Sequence, residues 1–227
     1  MNVETFDLRQ HATAAPERTA VVFRGERVSY GALEALANRM AAAWRALGVR
    51  RGDHVATLIG NRPEALAVVW AAWRCGAYVT PMSTALTTSE LRYLVEDCDA
   101  RVVLVDAAFA TQAAPLPALV STAPTWLSLA AVPATPGHRA AGRDPVAAPG
   151  AVHEAARGAT PIATPDDSHG STGIPGFAPI EPLLAVQSRE PAADECPGAL
   201  MLYTSGTTGA PTEIGRASCR DRVSSPV

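Results

Sequence analysis

A cluster of hydroxyl and glycine residues near the end of the chain is suited to binding phosphate. It follows the apolar run 200–203, which has the length and composition of a buried strand. Glycine has no Cβ, so the backbone at Gly206 and Gly209 can take a positive φ and come close to a ligand. Hydroxyl groups and exposed backbone N–H groups then converge on an anion. The sequence therefore predicts a phosphate-binding loop formed by Thr204, Ser205, Gly206, Thr207, Thr208 and Gly209.

The string from Tyr203 to Pro211 resembles a known family signature. Acyl-CoA synthetases and other AMP-dependent synthetases and ligases of the adenylate-forming (ANL) superfamily carry Tyr-Thr-Ser-Gly-Thr-Thr-Gly-x-Pro-Lys. Nine of those ten positions match, and Thr212 stands where the family has Lys. The loop is not a Walker A loop, because the chain contains no Gly-x-x-x-x-Gly-Lys-Ser/Thr. A Ser/Gly-rich surface turn is the structural alternative for this stretch.

The resemblance implies an activity and its cofactors. In the family, ATP and a carboxylic acid, here expected to be a fatty or other hydrophobic acid, give an acyl-adenylate and pyrophosphate. The thiol of coenzyme A then displaces AMP. Thr204 to Gly209 would hold the β- and γ-phosphates of ATP while Mg²⁺ offsets their charge, and Thr212 cannot supply the cation of the family's Lys.

The resemblance also implies that much of the family's machinery is absent from this sequence. The family's adenine pocket, most of its acyl pocket and its catalytic Lys lie beyond the signature loop. We therefore expect an N-terminal fragment that does not catalyse adenylation, and we assign no catalytic residue and no metal ligand. A non-enzymatic phosphate- or nucleotide-binding remnant is the alternative.

Alternating apolar segments predict the elements that position the loop. Short continuous apolar runs indicate strands buried on both faces, as in a parallel sheet covered by helices. Ser29 is a suitable N-cap, Gly48 a suitable helix stop, and Thr87 with Glu90 forms a capping box. The expected strands are His54–Ile59, Tyr78–Met82 and Arg101–Val105. The expected helices are a short one that begins at Leu8 and ends before Pro16, Tyr30–Leu47, Pro63–Cys75 and Ser89–Cys98.

This alternation predicts a layered α/β fold. With the resemblance it implies a partial N-terminal domain of the ANL type, with incomplete sheets and a disordered middle and tail. Alternation alone would also suit a dinucleotide-binding oxidoreductase. That class requires Gly-x-Gly-x-x-Gly after an early strand, and the sequence lacks it.

The middle and the tail depart from the family pattern. From about Thr111 to Gly173 the periodicity fades, and most of the chain's 19 prolines lie between Pro115 and Pro191. A flexible insertion and a frameshifted patch both explain this stretch. We expect a partial AMP-binding domain over residues 1–212, followed by a tail, 213–227, that is foreign to the family and resembles translated adapter sequence. We expect the native sequence beyond Pro211 to differ from this tail.

Composition excludes several functional classes. The chain of 227 residues carries a net charge of −3, which gives no nucleic-acid footprint. Its four cysteines lie far apart without Cys-x-x-Cys spacing, so neither a zinc site nor a disulfide framework is indicated. The stretch Met1 to Arg9 lacks a signal-peptide pattern, and no apolar run is long enough to span a membrane. We therefore expect a cytoplasmic location.

Three polar features receive structural interpretations. His54 opens a strand and is expected to be a structural histidine. Arg62, at a helix start, is expected to lie on the surface. The acidic group Glu96, Asp97 and Asp99 is expected to mark a helix end and its loop, because it lacks the partners of a metal site.

Overall fold

A parallel sheet of six strands forms the centre of the fold. The computed structural model describes residues 8–131, 173–204 and 212–214. The strands in chain order are β1 (Thr19–Phe23), β2 (Glu26–Ser29), β3 (His54–Leu58), β4 (Tyr78–Pro81), β5 (Ala100–Asp106), β6 (Thr125–Leu129), β7 (Ala178–Pro179), β8 (Ala199–Leu200), β9 (Leu202–Thr204) and β10 (Thr212–Ile214). The sheet has the order β7-β6-β5-β3-β4-β8, and every neighbouring pair in it is parallel. The predicted layered α/β class is confirmed.

Helices cover both faces of this sheet. They are α1 (Leu8–Ala14), α2 (Tyr30–Ala46), α3 (Pro63–Arg74), α4 (Thr88–Asp97), α5 (Ala110–Ala113), α6 (Leu116–Leu119) and α7 (Ile180–Ala185). One apolar core joins α1, α2, α3 and α7 to one face, and a second joins α4, α5 and α6 to the other. Within β3, Val55 points into the first core and Ala56 into the second, as strand alternation requires.

Local sequence signals explain where the long helices begin and end. The Ser29 hydroxyl accepts a hydrogen bond from the Ala32 amide at 3.2 Å and caps α2. Gly48, with φ of 81°, follows the end of that helix. Along α2, Met40 and Trp44 are fully buried on the predicted apolar stripe. These boundaries confirm the prediction for this helix.

The capping box at α4 also forms as predicted. The Thr87 side chain accepts from the Glu90 amide, and the Glu90 carboxylate accepts from the Thr87 amide at 2.8 Å. The helix ends at Asp97, and Asp99 follows it with φ of 48°. The acidic group therefore lies at a helix end, as expected.

The sequence periodicity fades from about Thr111, but the expected disordered middle does not begin there. Helices α5 and α6 and strand β6 lie within residues 110–129. Each helix has only four residues, too few to show a helical period, and β6 is a five-residue strand that pairs with β5. The remainder of the predicted irregular segment, 132–172, lies outside the described residues.

A close backbone approach brings β8 to the edge of the sheet beside β4. The Ala199 amide donates to the Ala77 carbonyl at 3.2 Å, and the Met201 amide donates to the Val79 carbonyl at 2.8 Å. Gly198 lies so close to Ala77 that a Cβ there would overlap the Ala77 carbonyl oxygen. Only glycine fits at this position without backbone movement.

Ion pairs hold the segment that leads into β8 against the helices. Arg9 donates two hydrogen bonds to the Glu195 carboxylate, at 2.7 and 2.8 Å. Arg74, whose side chain is 6% exposed, pairs with Glu34 at 2.6 Å and lies 3.8 Å from Glu195. One charge network thus joins α1, α2 and α3 to the approach to β8.

We expect Gly198→Ala to destabilise the protein by about 3 kcal/mol, because the added methyl group overpacks against the backbone of Ala77 and Trp73. Gly60→Ala is the matched control, since a Cβ there meets only ordinary van der Waals contacts with Phe109 and Asp106. The control should change the free energy of unfolding by no more than about 0.5 kcal/mol. Urea denaturation of both variants measures the difference, and equal stabilities would contradict the close approach.

Candidate functional site

An antiparallel hairpin carries the predicted phosphate-binding loop. Strands β9 and β10 pair Leu202 with Ile214, Tyr203 with Glu213 and Thr204 with Thr212. The last pair closes a connection formed by residues 205–211. Ser205, Gly206, Thr207, Thr208 and Gly209 lie in that connection, outside the described residues, so the phosphate-binding role of Thr204 to Gly209 stays a prediction.

The hairpin begins at the carboxyl edge of the parallel sheet. It follows β8 directly, and Met201 between the two is 1% exposed and packs in the second core. Ligands of open α/β sheets bind at this edge, beyond the carboxyl ends of the strands. Strand β9, from which the predicted loop follows in the sequence, therefore starts at the edge where such ligands bind.

Tyr203 joins the hairpin to the end of α4. Its hydroxyl donates to Asp97 Oδ2 at 2.7 Å, and the Tyr93 hydroxyl donates to Asp97 Oδ1 at 3.4 Å. The Tyr203 ring packs against the second core, whereas the neighbouring Leu202 is 51% exposed. Sequence reasoning placed Asp97 at a helix end but missed this contact across 106 residues, for which the sequence carries no local signal.

A second polar group, around Arg62, lies at the same edge of the sheet. The Arg62 guanidinium donates to Glu64 at 2.8 and 2.9 Å and to the Ala130 carbonyl at 2.9 Å, and it pairs with Asp106 at 3.2 Å. The Ala130 amide in turn donates to Glu181 at 2.8 Å. The expectation of a surface role for Arg62 is wrong, because its side chain is only 8% exposed and joins the ends of β5 and β6.

Burial and partner charges oppose each other in this group. Burial lowers the pKa of the Arg62 guanidinium, but Glu64 and Asp106 raise it above its ordinary value overall. Burial raises the pKa of the Glu64 carboxyl, but the hydrogen bond and charge of Arg62 lower it overall. Because the folded pKa of Glu64 is depressed, its ionised form stabilises the fold above the unfolded pKa. That contribution is lost as pH falls through the folded pKa.

The amino ends of the strands form a different surface. A polar hollow of about 640 Å³ lies there, lined in part by Gly48, Arg50, Asp53 and Arg101. It lies at the amino edge of the sheet, whereas β9 starts beyond the carboxyl end of β8. His54 begins β3 nearby and stacks on Tyr78 with ring centres 4.8 Å apart, which confirms its place at a strand start.

The described residues were compared with what a metal site and a membrane span require in side chains and helix length. No group of three or more His, Cys, Asp or Glu in the described part of the chain is arranged to hold a metal ion. Across the same residues, no helix combines the length and apolar character that a membrane span needs.

The sequence matches the family described as AMP-binding enzyme over residues 8–212. The chain belongs to this AMP-binding family. The match includes both the sheet and the predicted loop, so the resemblance to the adenylate-forming superfamily is confirmed.

Several curated relatives of the chain are CoA ligases. The chain is 37% identical over 99 residues to 3-hydroxybenzoate–CoA ligase of Aromatoleum sp. (strain CIB), which covers 44% of this chain and 19% of that protein. It is 36% identical over 102 residues to long-chain-fatty-acid–CoA ligase FadD13 of Mycobacterium tuberculosis (strain CDC 1551 / Oshkosh), covering 44% and 20%. The chain thus aligns with about a fifth of the length of these relatives.

A solved AMP-binding structure shares the fold. The anthranilate CoA ligase AuaEII, solved in complex with anthranoyl-AMP, superposes with a TM-score of 0.65 at 19% identity. The superposition covers 91% of this chain and 33% of that one. At this identity the likeness shows the fold alone, and it confirms the predicted ANL-type architecture.

We expect Glu64→Gln to destabilise the AMP-binding fold by about 1–3 kcal/mol near neutral pH, because a charged hydrogen-bond partner of buried Arg62 is lost. The deficit should shrink as pH falls through the lowered folded pKa of Glu64, because the wild-type carboxylate itself becomes protonated. Urea denaturation at neutral pH and at a series of acidic pH values measures it. Exposed Glu17 supplies the control Glu17→Gln. A deficit that is independent of pH would contradict the ion pair.

Proposed function

We propose that this chain supplies the nucleotide-phosphate-binding part of an ATP-dependent acid–CoA ligase. One observation carries the proposal: the signature from Tyr203 to Pro211 follows a strand at the carboxyl edge of a parallel sheet, in a chain of the AMP-binding family. The pairing of Thr204 with Thr212 supports it further, because it gives the loop a closed base.

The proposed chemistry is the activation of a carboxylate by ATP. The carboxylate attacks the α-phosphate, an acyl-adenylate forms and pyrophosphate leaves; coenzyme A thiol then displaces AMP. Holding the β- and γ-phosphates orients the leaving group, and catalysis of such a step rests on positioning and charge stabilisation. Thr204 to Gly209 are the proposed phosphate ligands, and Mg²⁺, when bound, would offset the phosphate charge.

The proposed substrate class is a hydrophobic carboxylic acid. The long-chain-fatty-acid ligase among the relatives supports a fatty acid, as the sequence resemblance implied. The 3-hydroxybenzoate ligase supports an aromatic acid at nearly the same identity. Both relatives share acid activation and transfer to coenzyme A, so the proposal commits to that reaction class and to the cytoplasm as its location.

We propose further that the chain binds nucleotide but does not itself form an acyl-adenylate. It aligns with 19% and 20% of the two curated ligases and with 33% of the solved anthranilate ligase. The phosphate-binding loop and its supporting sheet are present, whereas the family's catalytic Lys lies beyond the signature loop. We therefore expect this chain to bind ATP without catalysing adenylation.

Calorimetric titration with ATP and Mg²⁺ tests the binding. We expect saturable binding by the wild type and a large loss in the Thr207→Ala/Thr208→Ala double variant, which removes two proposed donors. Binding that is absent, or that the double variant retains in full, would overturn the proposed role of the loop.

A lysine at position 212 should tighten this binding. We expect Thr212→Lys to raise the affinity for Mg²⁺-bound ATP about tenfold or more, because a charged hydrogen bond contributes about 1.5–3 kcal/mol. Thr212→Gln is the uncharged control and should leave the affinity close to that of the wild type. The gain should also fall as salt concentration rises. Equal affinities of the Lys and Gln variants would contradict a phosphate beside position 212.

Exchange of labelled pyrophosphate into ATP tests the second proposal. With dodecanoate and 3-hydroxybenzoate as acids, we expect no exchange above that of a variant lacking residues 205–209. Exchange above that level would show that the chain completes adenylation, and the acid that supports it would identify the substrate class.

A further inference from the structure

The hairpin that carries the loop is not part of the main sheet. In the described part of the chain, β9 and β10 pair with each other and form a sheet separate from the six-stranded one. An isolated two-stranded hairpin is marginally stable in water. Besides its direct connection to β8, contacts between its side chains and the layered core therefore help to set its orientation.

Tyr203 makes such a contact at the base of the hairpin. Its ring packs on the second core, and its hydroxyl lies 2.7 Å from Asp97 Oδ2. On β9 it stands one residue before Thr204, where the predicted phosphate ligands begin, and its backbone pairs with Glu213. A bond that fixes Tyr203 therefore fixes the strand from which the loop starts.

The position of Asp97 is unfavourable for its own helix. It is the last residue of α4, and that helix has no basic residue in its final turn. A carboxylate at a helix C-terminus is repelled by the partial negative charge of the unpaired carbonyls. The nearby Glu96 accepts a hydrogen bond from the Ser121 amide at 2.7 Å, an exposed contact between α4 and the segment before β6. Asp97 instead accepts its short hydrogen bond from Tyr203 of the hairpin.

We propose that Asp97 is a positioning residue for the phosphate-binding loop and that it acts by orienting Tyr203. The carboxylate accepts from the phenol and holds β9, the strand from which the loop starts, against the end of α4. This role rests on the proposed function, which supplies the phosphate ligand. The way in which Asp97 acts rests on its hydrogen bond with Tyr203.

Five single variants separate positioning from general stability. Asp97→Ala and Tyr203→Phe each remove the bond, whereas Asp97→Asn keeps a carboxamide oxygen as acceptor. Tyr93→Phe removes the other hydroxyl on the same carboxylate. Glu96→Gln is the matched loss of one charge at the same helix end, where the Glu96 carboxylate accepts from the Ser121 amide and pairs with Arg92.

We expect Asp97→Ala and Tyr203→Phe each to weaken binding of Mg²⁺-bound ATP about tenfold, in line with the loss of a charged hydrogen bond. The Asp97→Ala/Tyr203→Phe double variant should lose no more than either single variant, because both act through one bond. Asp97→Asn should restore most of the affinity, and the two controls should retain it.

The melting temperature should not fall together with the nucleotide affinity. Removing the carboxylate relieves repulsion at the end of α4, so Asp97→Ala should melt at or above the wild-type temperature while it binds nucleotide more weakly. A merely structural Asp97 would instead lower melting temperature and affinity together. That result, or additive losses in the double variant, would overturn the assignment.

Hydrogen exchange without nucleotide separates this inference from the proposed function. The backbone amides of residues 202–204 should exchange faster in Asp97→Ala and Tyr203→Phe than in the wild type or the two controls. Unchanged exchange would overturn the anchor even if ATP binds. If the wild type binds no ATP, the proposed function and the role of Asp97 in phosphate binding both fail, and faster exchange would then support only its hold on the hairpin.

Discussion

The close packing of the Gly198 backbone on Ala77 is the constraint on which the candidate site depends. It lets β8 pair with β4, and β8 leads directly into the hairpin at the carboxyl edge of the sheet. The buried pair of Arg74 and Glu34, with Glu195 beside it, holds the preceding segment in place. Removing one partner from a buried pair leaves an uncompensated charge. Single substitutions in this network should therefore destabilise the fold.

Much of the layered fold could be predicted, because its signals are local. The cap at Ser29, the capping box at Thr87 and the stop at Gly48 each act within one helical turn. Continuous apolar runs such as 54–58 show burial on both faces and therefore a parallel sheet. The one-turn helices after Phe109 escaped prediction because they are shorter than the period that would reveal them.

In the candidate site, too, local features could be predicted from the sequence and contacts between distant residues could not. The signature after Tyr203 could be recognised because its residues are consecutive and their phosphate chemistry is carried by glycine and hydroxyl groups. The contacts between Arg62 and Asp106 and between Tyr203 and Asp97 could not, because they join residues far apart in sequence. Arg62 and Asp97 were both given surface or helix-end interpretations for this reason. Burial and partners depend on tertiary packing, which one sequence does not display.

The alternation of side chains along β9 has a consequence for how this region tolerates change. Tyr203 faces the end of α4, and Leu202 faces solvent. Inserting or deleting one residue between Met201 and Tyr203 would exchange these two faces, turning the phenol outward and an aliphatic chain toward the carboxylate. The length of this segment should therefore be under stronger selection than the identity of its exposed residues, so that relatives vary at Leu202 while the spacing from the sheet edge stays fixed.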